Sequence, residues 1–98
     1  MALMHLTIIP LGIQTPSVGE FVAEIQKTLE VSEIPFQLTD MGTTIEGSTG
    51  DLLQLAGQLA ELPFNKGVQR VVTQISIDDR RDKRVSLGDK RSSVTARL

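Results

Sequence analysis

Two apolar stripes at helical spacing, set among four short β-rich runs, constrain this chain more than any other feature. Val18, Phe21, Val22, Ile25 and Leu29 form the first stripe, and Leu52, Leu55, Ala56, Leu59 and Leu62 the second. A stripe of this width must cover a sheet or another helix, and 98 residues leave room for one such layered domain. Ser17-Val18-Gly19-Glu20 reads as a capping box at the start of the first helix. Ser48 or Thr49, between Gly47 and Gly50, can cap the second, which Pro63 is expected to close.

The β-rich runs fall around these helices in a definite order. Met4–Ile9 is short and is expected to end at Pro10, where Pro10–Pro16 reads as a shaped loop. Phe36–Asp40 alternates as a strand, Met41-Gly42 reads as a tight reversal, and Thr43–Glu46 returns antiparallel. After a turn at Asn65-Lys66-Gly67, Val68–Ile77 is the last and longest strand. Its Val71, Thr73, Ile75 and Ile77 share one face, and Arg70, Val72, Gln74 and Ser76 the other. The order β-α-β-β-α-β predicts an α+β, ferredoxin-like sandwich: a four-stranded antiparallel sheet with both helices on one face. The first and last strands are expected inside the sheet, and Thr7, Thr43, Thr44, Gln74 and Ser76 on its open face. That face needs partial cover from a second subunit or a ligand.

The sequence reads as a single domain over residues 1–98, with a core at 1–78 and a charged extension at 79–98, either an arm or a short helix. Charge divides the same way. Residues 1–66 carry two cations against eight acids, whereas residues 67–98 carry eight cations against four, for a net charge of −2. A basic tail can hold phosphate, but no whole-chain positive field exists to attract a polyanion. Opposite charges meeting within the fold or between subunits account for it more simply.

Several function classes drop out. An RNA-recognition domain of this topology stacks bases on aromatics of its central strands, and neither Met4–Ile9 nor Val68–Ile77 contains one. Absence of cysteine removes disulfides, thiolate metal sites and cysteine nucleophiles, and accords with a cytoplasmic location. No phosphate-binding loop ends in Gly-Lys-Ser/Thr, and the one histidine, His5, has no evident nucleophile to serve. Apolar runs are too short to span a bilayer, and no secretory pattern opens the chain. Among Asp78, Asp79 and Asp82, interleaved arginines and lysines favour ion pairs over a metal. No enzyme, metal, cofactor, nucleic acid or membrane is expected.

What remains is a binding surface: the first loop is expected to bring Leu11, Gly12 and Gln14 near the start of the first helix, and the hairpin to bring Thr39, Met41, Gly42, Thr43 and Glu46. Glycines admit close approach of a flat heterocycle. Glu46 on an open sheet face suits a cationic or amino-bearing ligand, or else an ion pair with Arg70 or a neighbouring subunit.

Pro10-Leu11-Gly12, Thr15-Pro16-Ser17-Val18, Met41-Gly42-Thr43-Thr44-Ile45-Glu46-Gly47, Arg70-Val71-Val72-Thr73 and Ile77-Asp78-Asp79-Arg80-Arg81-Asp82-Lys83 together resemble the small thiamine-binding proteins of bacteria and archaea. The resemblance covers residues 4–83. It implies a ferredoxin-like fold, subunits paired as a dimer or a dimer of dimers, and no catalysis. It also implies a pocket for thiamine, as ligand rather than cofactor, or for its hydroxymethylpyrimidine moiety. Carried over by motif, Pro10, Leu11, Gly12, Thr39, Met41, Gly42, Thr43 and Glu46 are the expected ligand-binding residues, with Asp79 as a further contributor. An assembly module that only pairs with its own copies is the alternative.

Overall fold

The computed structural model describes residues 1–13 and 18–98. Its order is β1 (Ala2–Leu11), α1 (Gly19–Val31), β2 (Phe36–Thr39), β3 (Gly42–Gly47), α2 (Thr49–Asn65), β4 (Arg70–Asp79) and a short α3 (Asp89–Thr95). The four strands form one antiparallel sheet in the order β2-β3-β1-β4. The ferredoxin-like arrangement therefore holds, with one correction. β1 and β3 are the interior strands and β4 is an edge, because the crossover through α2 carries the chain past β1 to its free side. Neither interior strand contains Phe, Tyr or Trp.

Residues directly opposite in an antiparallel ladder point to the same face, so the register sorts the side chains. Ala2, Met4 and Leu6 of β1 share the helix side with Ile45 and Thr43 of β3 and with Ile77 and Ile75 of β4. Against them pack Ile25 and Leu29 of α1 and Leu52, Leu55, Ala56 and Leu59 of α2. Thr43 is thus buried under the helices rather than displayed on the open face. The open face carries Leu3, His5, Thr7 and Ile9 with Thr44, Glu46, Val72, Gln74 and Ser76.

Local signals behave as their chemistry dictates, with informative departures. Ser48 caps α2 by accepting from the Asp51 N–H at 3.2 Å. Val18 stands at the start of α1 without a side-chain cap; Ser17, and Gln14, Thr15 and Pro16 of the expected Pro10–Pro16 loop, lie outside the described residues. Pro10 does not end β1, which runs through it to Leu11 opposite Arg70. The reason lies in the strand pairing: β3 pairs β1 only from Ala2 to Leu6, so beyond Leu6 one edge of β1 has no strand partner and a missing N–H costs nothing there. Pro63 likewise lies inside the last turn of α2, buried, and takes Phe64 into the helix with it. The hairpin turn is Asp40-Met41, one residue before the expected reversal, and Gly42 already belongs to β3. β4 begins at Arg70 rather than Val68, after a turn at Lys66 and Gly67.

The extension beyond β4 opens with an ion-pair block. Arg80 makes a two-bond contact with Asp82, and Arg81 with Asp79. The chain then returns over the β2–β3 half of the open face, where the Glu46 carboxylate accepts from the Leu87 N–H at 2.7 Å. α3 follows and buries none of its own residues. On the β4 half, Ile9 and its partner Val72 remain exposed.

Candidate functional site

Unequal strand lengths build the site. β1 and β4 pair along ten residues each, but β3 stops pairing with β1 at Leu6 opposite Thr43, where the hairpin turns back. The continuing edge of β1, the hairpin tip and the first half of α1 enclose a cleft of about 520 Å³. Its walls are mostly aliphatic: Leu6, Ile8 and Ile9 from β1, Val18, Val22 and Ile25 from α1, and Leu38 and Met41 from the hairpin. Polar groups are few and placed at intervals, as small-molecule sites require. Among the described residues they are Thr7, Gln26, Thr39, Asp40, Thr43 and Gln74, of which Asp40 is the one charged residue.

The hairpin tip is held by its own hydroxyl. Thr39 Oγ1 accepts from the Met41 N–H at 3.2 Å and donates to the Gly42 carbonyl at 3.0 Å, fixing the two-residue turn that presents Asp40 and Met41. Gly42 allows β1 and β3 to close here. A Cβ at this position would stand 2.7 Å from His5 Nε2 and 2.8 Å from Thr7 Cγ2. On the inner wall Gln26 Nε2 donates to Thr43 Oγ1 at 3.1 Å, while Gln26 Oε1, shielded from solvent, has no hydrogen-bond partner among the described residues. Thr7 Oγ1 donates to Gln74 Oε1 at 3.1 Å on the open face.

The nine residues expected from sequence do not converge on one point. Thr39, Met41, Gly42 and Thr43 line this cleft together. Pro10 is buried on the helix side of β1. Leu11 and Gly12 line a more open depression of about 630 Å³ with Phe21, Lys66 and Arg70. There Lys66 pairs with Glu24 at 3.0 Å and lies 5.9 Å from the Phe21 ring centre. Glu46 serves the C-terminal segment through Leu87, not Arg70.

Asp79 lies at the opposite end of the sheet, opposite Ala2. It accepts from Arg81 and, at 2.7 Å, from Thr49 Oγ1, and these bonds hold its carboxyl down from the ordinary 3.8 to about 2. A carboxyl depressed on folding stabilises the fold above its unfolded value and loses that contribution as pH falls from about 4 towards 2. An NMR titration of the Asp79 carboxyl is expected to give a midpoint near 2 in the native protein, moving up toward 3.8 in Thr49→Val/Arg81→Gln. A midpoint near 4 in the native protein would contradict these contacts.

Asp40 and Gln26 were not among the residues expected from sequence. Gln26 carried a readable signal. It stands four residues after Val22 and three before Leu29, a polar residue on the margin of the apolar stripe. Asp40 reads as an ordinary turn residue, and only the notch between strands of unequal length gives it a cleft to border.

Comparison with known proteins places this geometry. The family model described as thiamine-binding protein matches residues 4–95. The UPF0045 protein YqgV of Bacillus subtilis is 48% identical, the match covering 100% of this chain and 98% of the relative. The solved structure of the hypothetical protein MJ1052 from Methanocaldococcus jannaschii superposes with a TM-score of 0.85 at 26% identity, covering 96% of this chain and 95% of that one. A Thermotoga maritima protein named for a provisional role in thiamine biosynthesis or salvage shares the fold, with a TM-score of 0.78 at 16% identity and coverage of 95% and 97%. Fold, motifs and family match agree: the chain belongs to the thiamine-binding protein family.

Proposed function

We propose that the chain binds thiamine, or its hydroxymethylpyrimidine moiety, in the cleft between α1 and the β2–β3 hairpin, and acts as a carrier, buffer or sensor rather than a catalyst. The observation that carries this reading is the cleft itself: aliphatic walls, a few fixed polar groups, and a single charge, the Asp40 carboxylate at the rim. Thiamine brings a fixed positive charge on its thiazolium ring, a flat aminopyrimidine and no other charge, which is the complementary set. A volume of about 520 Å³ suits a ligand of that size.

Aliphatic walls without aromatic stacking, and a carboxylate in contact with water, set the affinity in the micromolar range on the order of −8 kcal/mol. Thiamine at a hundredfold excess over its Kd then stabilises the fold by about 2.7 kcal/mol. In a domain of this length that raises Tm by on the order of 10–20 °C. Asp40→Asn is expected to weaken thiamine binding about two- to fivefold, because a rim charge is screened, with less effect on the uncharged pyrimidine alcohol. Calorimetric titration and thermal melts check both. An unchanged Tm at millimolar concentrations of either ligand overturns the reading.

A second reading, self-association, is favoured by one observation: Ile9 and Val72, directly opposite each other, are 39% and 37% exposed on the open sheet face. Sedimentation showing a stable multimer that Val72→Lys splits into monomers would support it, and the two readings are compatible.

A further inference from the structure

Pro10 fixes which way the main chain of β1 faces. It is paired with Val71 in the β1–β4 ladder, yet it has no N–H to give that strand. The ladder bonds on either side of it therefore belong to Ile9 and Leu11, and by alternation the main-chain groups of Leu6, Ile8 and Pro10 face the other edge. Leu6 exchanges its bonds there with Thr43, at the end of the β1–β3 ladder. Ile8 comes next. Its N–H and C=O have no strand across from them, and no turn or loop bond reaches them among the described residues. The same stretch borders the cleft: Leu6, Thr7, Ile8 and Ile9 all line it, although successive side chains of a strand point to opposite faces. A cavity reached from both faces lies along the strand's edge, where the unpaired N–H and C=O of Ile8 stand.

We propose that the Ile8 main chain reads an aminopyrimidine ligand in this cleft, its N–H donating to the ring nitrogen beside the amino-bearing carbon and its C=O accepting from the amino group. The inference rests on the thiamine reading of the cleft and adds to it the atoms that are read. In a closely spaced pair of an antiparallel ladder, two opposite residues exchange both of their bonds. An acceptor nitrogen next to an amino donor offers the same two groups side by side, so the ring edge takes the place of the absent β3 residue. An added peptide strand fits less well, because Pro10 breaks the row of donors two residues on. A ligand that cannot match the two main-chain groups leaves them unpaired beside aliphatic walls, at a cost in affinity.

The test is a calorimetric titration of the full chain with thiamine and with its pyridine analogue, in which C–H replaces the ring nitrogen beside the amino-bearing carbon. Ile8→Pro removes the donor and keeps the carbonyl, and Pro10 shows that this edge of β1 accommodates a proline ring. Ile8→Val, close to proline in size, keeps both groups. Ile8→Val is expected to prefer thiamine over the analogue at least fivefold more strongly than Ile8→Pro does. Comparing the two variants cancels the greater basicity of the analogue, which acts on both alike. Independently, the Ile8 amide proton of the native chain is expected to move downfield on saturation with thiamine, as an N–H does on gaining a hydrogen bond; this measurement decides alone should Ile8→Pro not fold. Equal preferences in the two variants, or an Ile8 amide proton that stays in place or moves upfield in a chain saturated with thiamine, overturn the assignment of Ile8 but leave the thiamine reading standing. A native protein that binds neither compound removes both.

Discussion

Replacing Leu59 by alanine is expected to lower stability by about 2–5 kcal/mol, the range for emptying a well-packed aliphatic site. Leu59 is fully buried on α2 and belongs to the cluster that joins α2 to Met4 and Ile45 on the interior strands. Removing three side-chain carbons there leaves a space that neither the sheet nor a 17-residue helix can close. For a domain whose whole stability is of the order of 5–15 kcal/mol, this is a large fraction. Tm should fall by between about 8 and 40 °C. The exposed Leu53 on the same helix is the control, since Leu53→Ala should move Tm little. Equal effects at the two positions would mean that α2 does not present the observed face to the sheet.

Gly42→Val is expected to cost stability and binding together. The added Cβ would lie within 3 Å of His5 and Thr7 on the neighbouring strand. The imidazole can rotate aside, but a β-branched threonine in a strand has little freedom to follow. Overpacking of this kind costs roughly 1–3 kcal/mol. The more telling consequence is in the cleft, whose mouth is set by the approach of the hairpin to β1. Thiamine binding should weaken by at least tenfold, while Asp40 and Gln26 remain chemically intact. Chemical denaturation and calorimetry read the two effects separately. A variant that is destabilised yet binds as the native chain would place the ligand elsewhere.

The two helices, the four strands and the α+β layering were legible because period 3.6 and period 2 are properties of neighbouring residues. The end points were less so. Whether Pro10 ends β1 depends on which edge of the strand is unpaired there, and that is decided by β3, more than thirty residues away. Pro63 could be kept inside α2 because it falls in the last turn, where few further bonds depend on it. The interior position of β3 rather than β4 is a matter of crossover geometry. The site divides along the same line. Thr39, Met41, Gly42 and Thr43 come from one hairpin, so their proximity follows from local sequence.

Glu46 is the opposite case. Its place on the open face was readable, but its partner is the Leu87 N–H, forty-one residues on, in a segment whose return over the sheet no local pattern encodes. A carboxylate that looks solitary in sequence is engaged in the fold, and the cleft takes its one charge from Asp40 instead.

The most direct test of the cleft is a thiamine titration followed by amide chemical shifts. Shifts are expected at Val22–Gln26, at Ile8 and Ile9, and at Thr39–Thr43. Little change is expected at Lys66–Arg70 beside Gly12 or at Leu87 beside Glu46. Saturable shifts confined to either of those other regions, with the hairpin and α1 unmoved, would contradict the account.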